Sequence, residues 1–269
     1  MSVKKKQGRP KRPRIRLTNR ETWLGGRSFE MKKAEEAREA SGLDWEYHAA
    51  VLLERLPVVV PEPEDWEVAW MDFMSEFRWN CGRQYPAELD IWREDRDAPA
   101  PSFREQHEAC PIPLAPRVTE ADASGDRTTL HRALDRRIFL LERASDAEPW
   151  RFVTAAVQRG GSGGGDGGGG ETLRAAAERA LAAALRPDVP GFKYWHVGNG
   201  PAGVDWRIFG EEERAARGAF GEKVFLMRAQ IVVGEPAFAR RGVQRVWVAK
   251  EELAEYFGAE RGQYYVKLL

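Results

Sequence analysis

Residues 160–170 read GGSGGGDGGGG and run directly into ETLRAAAERALAAAL at 171–185. Glycine at this density brings no side chain to pack, so the first part is a loop rather than a strand or helix. It lacks the lysine of a phosphate-cradling loop and reads as a lengthened connection to the next element. The second part is rich in alanine, the best helix former, and its short side chains allow close approach to a sheet. Glu171 opens the helix, where a negative charge complements the positive end of the macrodipole. Pro187 and Pro190 close it. Glu171 and Arg179 lie about two turns apart, a spacing at which an ion pair would hold the loop against the helix.

Gly165, Glu171, Arg179 and Leu181 together resemble the Nudix box, the loop–helix element that binds divalent metal in pyrophosphate hydrolases. The pattern runs from a Gly through five residues to a Glu, then seven more to Arg-Glu, an aliphatic, any residue and Glu-Glu. Its metal-binding glutamate positions read Ala180, Ala183 and Ala184 here. Such hydrolysis needs carboxylates to hold Mg²⁺ or Mn²⁺ and activate water, and alanine offers no oxygen ligand. Glu178 is close in sequence but points elsewhere around the helix. The resemblance implies a Nudix-like frame with no catalytic residues, no metal and no cofactor, in which Gly165, Glu171, Arg179 and Leu181 are structural remnants. An active hydrolase of nucleoside diphosphate derivatives would need relocated ligands, for which Asp166, Glu178 and Glu211–Glu213 are the candidates.

The formal net charge of zero conceals an asymmetry. Residues 1–20 hold Lys4, Lys5, Lys6, Arg9, Lys11, Arg12, Arg14, Arg16 and Arg20 and no acid. Like charges, Pro10 and Pro13 favour an extended arm. A basic arm on an acidic body suits a polyanion, so Lys4, Lys5, Lys6, Arg9, Lys11, Arg12, Arg14 and Arg16 are the candidate RNA-binding residues. Arg132, Arg136 and Arg137 form a second, local basic cluster. The arm satisfies the charge rule of a mitochondrial transit peptide but would make a poor amphipathic helix; it lacks the apolar segment of a secretory signal. No apolar run reaches the roughly 18 residues that span a bilayer. Cys81 and Cys110 are too few for a disulfide framework and form no close ligand pair for zinc.

Elsewhere, hydrophobic period sets the expectations. Residues 30–41 favour a helix stopped at Gly42. Val51–Leu53 and Val58–Val60 read as a buried strand interrupted at Pro57. Trp66, Trp70, Phe73 and Phe77 recur on one helical face, as core or as a protein interface. Residues 80–117 carry six prolines and little periodicity, a long irregular connection. Asp122–Asp126 is turn chemistry, with a helical turn starting at Thr128 or Thr129. Ile138–Leu141 and Trp150–Val157 suit a hairpin across Ser145–Pro149. DWRIF, EKVFLMRAQIVVG and GVQRVWVA are further strands, EEERAARGAFG is a polar loop or short helix, and AKEELAEYFG is a closing helix before the tail YYVKLL.

The blocks VTEADASGDRTTLHRALDRRIFLL, GETLRAAAERALAAAL, VGNGPAG, GEKVFLMRAQIVVG and VWVAKEELAEYF, in this order, resemble the mitochondrial large ribosomal subunit protein forty-six family, which carries a degenerate Nudix domain. The likeness covers roughly residues 45–269. It implies an α/β fold, a Nudix-like α/β/α sandwich with a mixed sheet, and a structural role at the central protuberance of the mitochondrial large subunit. Its partners would be ribosomal proteins, with ribosomal RNA met by the arm, and no membrane or small-molecule substrate. A free RNA-binding assembly factor is the other non-enzymatic reading. The expected organisation is a basic arm and short helix over 1–44 and the Nudix-like domain over 45–269. That domain carries a helical and irregular insertion at 61–117 and the glycine-rich loop at 160–170.

Overall fold

The computed structural model describes residues 19–82, 102–108, 116–158, 170–186 and 189–269, without the side chains of 19–25 and 106–108. The chain divides into two compact units. One comprises residues up to Glu54 together with Phe139–Leu269; the other is Arg55–Ile138.

The first unit is built on a seven-stranded mixed sheet, so the expected α/β class is observed. Its strands are β1 (Asp44–Arg55), β2 (Ile138–Arg143), β3 (Val153–Ala156), β4 (Lys193–His196), β5 (Gly203–Ile208), β6 (Ala219–Val233) and β7 (Gln244–Ala249). The order is β4-β6-β1-β2-β7, with β3 added to β1 and β5 added to β6. β1 is buried without a break from Ala49 to Leu53, the signature of a strand covered on both faces. Ala50 and Leu52 face a core of Phe139, Leu141, Phe152, Leu226 and Val248, closed by Tyr264 and Tyr265 of helix α7 (Leu253–Leu268). Trp45, of opposite parity on β1, packs with Phe220 and with Ala34 of helix α1 (Asn19–Ser41). Helices thus lie on both faces of the sheet.

Several expectations are corrected by packing. α1 runs from Asn19, not from residue 30, through Gly25 and Gly26. Arg27 supplies the reason: its guanidinium lies 4.2 Å from the Trp206 ring centroid and 3.6 Å from that of Tyr264, and it bonds Asp205 at 2.7 Å. Tertiary contacts of this kind override a weak local propensity. The Trp150–Val157 hairpin is reduced to a single bridge between Glu142 and Arg151; β3 then turns to pair antiparallel with β1, from Val153 opposite Val51 to Ala156 opposite His48. YYVKLL is the end of α7 rather than a tail, because Gly258 (φ 76°) breaks the helix and turns Tyr264 and Tyr265 into the core.

In the second unit, Val58–Val60 leave the strand and are largely exposed; the Val58 and Val59 amides both donate to the Leu134 carbonyl. The helices described here are α2 (Asp65–Cys81), α3 (Phe103–Glu108) and α4 (Glu120–Ser124). The five-residue α4 occupies the expected turn. Thr119 caps it and Gly125 ends it in the left-handed conformation (φ 70°). Thr128 bonds Asp126 through its amide and hydroxyl and starts no helix.

Candidate functional site

Helix α5 (Leu173–Ala184) starts at Thr172, whose hydroxyl accepts from the Ala175 amide at 3.1 Å. Glu171, one residue before, is gripped at both oxygens by Arg179: Nε donates to Oε1 at 2.9 Å and Nη2 to Oε2 at 2.8 Å. Arg179 Nη2 also donates to the Ala156 carbonyl at the end of β3, at 2.6 Å. The Gln158 amide donates to Glu171 Oε2 at 2.9 Å, and the Glu171 amide returns a bond to the Gln158 carbonyl at 3.0 Å. The two flanks of the glycine-rich segment are therefore clamped together beside β3, and the expected Glu171–Arg179 scaffold pair is present. The Arg179 guanidinium, with the Gln158 amide, holds the Glu171 carboxyl down to about 2.

α5 packs against β3 and β6. Ala180, Leu181 and Ala184 are buried and Ala183 is exposed. Glu178 turns away to Arg174 at 2.8 Å, and Arg174 also donates to Asn199. Of the Glu211–Glu213 cluster, in the first turn of helix α6 (Glu211–Arg217), Glu213 approaches Arg207 at 3.4 Å. Among the described residues, no three His, Cys, Asp or Glu side chains gather as a metal-binding group. Gly165, Asp166 and the arm residues Lys4, Lys5, Lys6, Arg9, Lys11, Arg12, Arg14 and Arg16 lie outside the described residues.

Trp66, Trp70, Phe73 and Phe77 share one face of α2, as their spacing predicts, but that face is not core. Their exposures are 65, 58, 54 and 51%, and α2 has no buried residue. Arg132 departs from the expected basic cluster: it is buried, whereas Arg136 and Arg137 are exposed.

Sequence reasoning passed over two centres. Arg55, at the end of β1, is buried in the second unit. It donates to the carbonyls of Leu130 and Arg132 through Nη1, at 2.6 and 3.0 Å, and of Ala133 and Arg136 through Nη2, at 2.7 and 2.9 Å. Asp122 fixes the same loop from the other side, accepting from the Ala133 amide at 2.9 Å and from the amide and hydroxyl of Thr119. The TEAD and TTLHRALDR blocks are thus one hydrogen-bonded loop gathered on an arginine. The signal was a pair of charges, Glu54 and Arg55, ending an apolar run. The second centre is Asp205 on β5, buried and shared by Arg27, Arg261 and the Tyr265 hydroxyl. Burial pushes its carboxyl up, but Arg261, Tyr265 and Arg27 outweigh that and hold it below the usual range.

No family model matches the chain. Large ribosomal subunit protein mL46 of Bos taurus is 35% identical over 142 residues, 52% of this chain and 46% of that protein. The Mus musculus protein of the same name is 34% identical over 142 residues, covering 52% and 45%, and that of Neurospora crassa 29% over 164 residues, covering 55% and 41%. The chain spans about half the length of the curated relatives it matches. Among solved structures, one from a study of MutT from Aliivibrio salmonicida and Vibrio cholerae covers 48% of this chain and 82% of its own, at 18% identity. Its TM-score of 0.27 is too low to bear on chemistry or on the details of the fold. Over about half its length, the chain is similar to large ribosomal subunit protein mL46 of mammals and of a fungus.

Proposed function

We propose that the chain is a structural component of the mitochondrial large ribosomal subunit, placed at its central protuberance in the matrix, where it supports translation without catalysis. The likeness to mL46 proteins over half the chain carries this reading. The box agrees with it: Ala180 and Ala184 fill buried positions where Nudix chemistry needs ligands, so a degenerate Nudix-like frame is retained for its surfaces. The chain takes no cofactor and no small-molecule substrate. Its basic arm meets ribosomal RNA through Lys4, Lys5, Lys6, Arg9, Lys11, Arg12, Arg14 and Arg16, and the Trp66, Trp70, Phe73 and Phe77 face meets a ribosomal protein.

The test is sedimentation of the tagged full chain from mitochondrial lysate. It should travel with large subunits at low salt, and the purified chain should show no Mg²⁺-dependent pyrophosphohydrolase activity. A chain that stays at the top of the gradient, or one with such an activity, overturns the reading.

A further inference from the structure

α2 carries four of its five aromatic side chains on the outside. Its inner face, Val68, Asp72, Ser75 and Trp79, is half-buried, and Asp72 accepts from the Phe103 amide at the start of α3 at 2.7 Å. On the opposite side, Trp66, Trp70, Phe73 and Phe77 form a continuous exposed ridge. The Trp70 and Phe73 ring centroids are 5.7 Å apart and those of Phe73 and Phe77 6.1 Å. The Trp66 indole is held by the Glu64 carboxylate at 2.6 Å. The ridge is about 16 Å long, three turns of helix. Four aromatics prearranged at low entropic cost are the composition of an interface anchor rather than of a solvated face.

Charge selects among partners. Residues 62–81 carry six carboxylates, Glu62, Glu64, Asp65, Glu67, Asp72 and Glu76, against one cation, Arg78. Arg104 approaches one of them, Asp65, at 3.9 Å. Single-stranded RNA would stack on aromatics only beside a positive groove, which this is not. A neutral apolar partner would leave the carboxylates uncompensated at the rim.

We infer that the Trp66–Phe77 ridge of α2 is the docking site for a basic amphipathic helix of a protein partner, which lays its apolar stripe on the aromatics and its lysines or arginines on the flanking carboxylates. Such a helix-on-helix contact uses anchors at i, i+4, i+7 and i+11, the spacing these four residues have. Opposite rim charge fixes orientation and speeds encounter.

The inference rests on the proposed reading of this ridge as a protein contact, and the experiment separates the two. The full chain is titrated with an amphipathic leucine–lysine helical peptide of about 20 residues, its leucine–glutamate counterpart and poly(U). The lysine peptide should bind, more weakly as salt rises, and the other two should not. Replacing Trp70→Ser with Phe73→Ser should cost about tenfold or more in affinity without changing the melting temperature, since both side chains are exposed. Replacing Asp65→Lys with Glu76→Lys should weaken lysine-peptide binding and narrow the preference between the two peptides. Equal binding of both peptides, binding of poly(U) lost in the aromatic variant, or concentration-dependent dimerisation lost in that variant overturns the inference. So does lysine-peptide affinity that rises about tenfold when residues 1–20 are deleted, which would assign the ridge to the chain's own arm. If the aromatic variant sediments with large subunits unchanged, the protein-contact reading itself fails; if it falls away while the lysine peptide does not bind, only the partner chemistry is wrong.

Discussion

Glu171 carries the most information of any single residue. It is held by a bidentate arginine and by a backbone amide across the glycine-rich segment, and its charge strengthens all three bonds. Its folded pKa of about 2 lies below the ordinary 4.5. A depressed pKa means that its contribution is complete above about 4.5 and is lost as pH falls through about 2. Thermal melts of Glu171→Gln should therefore give a lower melting temperature than the parent near neutrality, and the difference should shrink as pH drops through that window. The neighbouring alanines behave as separate positions. Ala180→Glu should cost about 3 kcal/mol or more, because a carboxylate would enter a buried site with no partner. Ala183→Glu, at an exposed position, should stay within about 0.5 kcal/mol by urea denaturation. Equal costs at the two sites would contradict the packing described for α5. The identities at 180, 183 and 184 were legible in the sequence; which of them had become core was not, since that depends on which side of α5 meets β3 and β6.

At the scale of elements, strand and helix identity followed hydrophobic period, while their ends and pairings followed contacts. β1, β6 and β7 were visible as apolar runs. The partner of β3 was not: a short turn between two apolar runs predicts a hairpin, but after one bridge at Arg151 the chain gains more by completing β1. α7 shows the same division. Its start is visible in AKEELAEYF, but its return into the core depends on two glycines. Gly258 supplies the positive φ, and Gly262 lies against the Ala254 backbone, where a Cβ would clash. Gly262→Ala should cost about 1–3 kcal/mol from overpacking, read as a lower denaturation midpoint. An unchanged midpoint would mean that the two halves of α7 separate freely. The ridge on α2 is the converse case. Its period was legible, but a stripe of four aromatics reads equally as core until its exposure is known.

For the whole molecule, charge placement links the fold to the proposed ribosomal role. Nine cations in residues 1–20 contrast with the carboxylates of α2, so the chain carries a strongly basic segment and an acidic ridge. Deleting residues 1–20 should reduce incorporation into large subunits and flatten its dependence on salt, as phosphate contacts that release counterions are lost. Gradient profiles across a salt series check this; identical profiles would remove the arm from RNA binding. α/β class, the box remnant with its alanines, the basic arm and the family likeness were all determined by the sequence itself, because residue identity, period and local charge are properties of the chain. The clamp across the glycine-rich segment, the carbonyl clasp of Arg55, the sharing of Asp205 and the outward turn of the α2 aromatics were decided only by tertiary structure. Each depends on groups distant in sequence, or on which face of an element is covered, and a one-dimensional pattern holds neither.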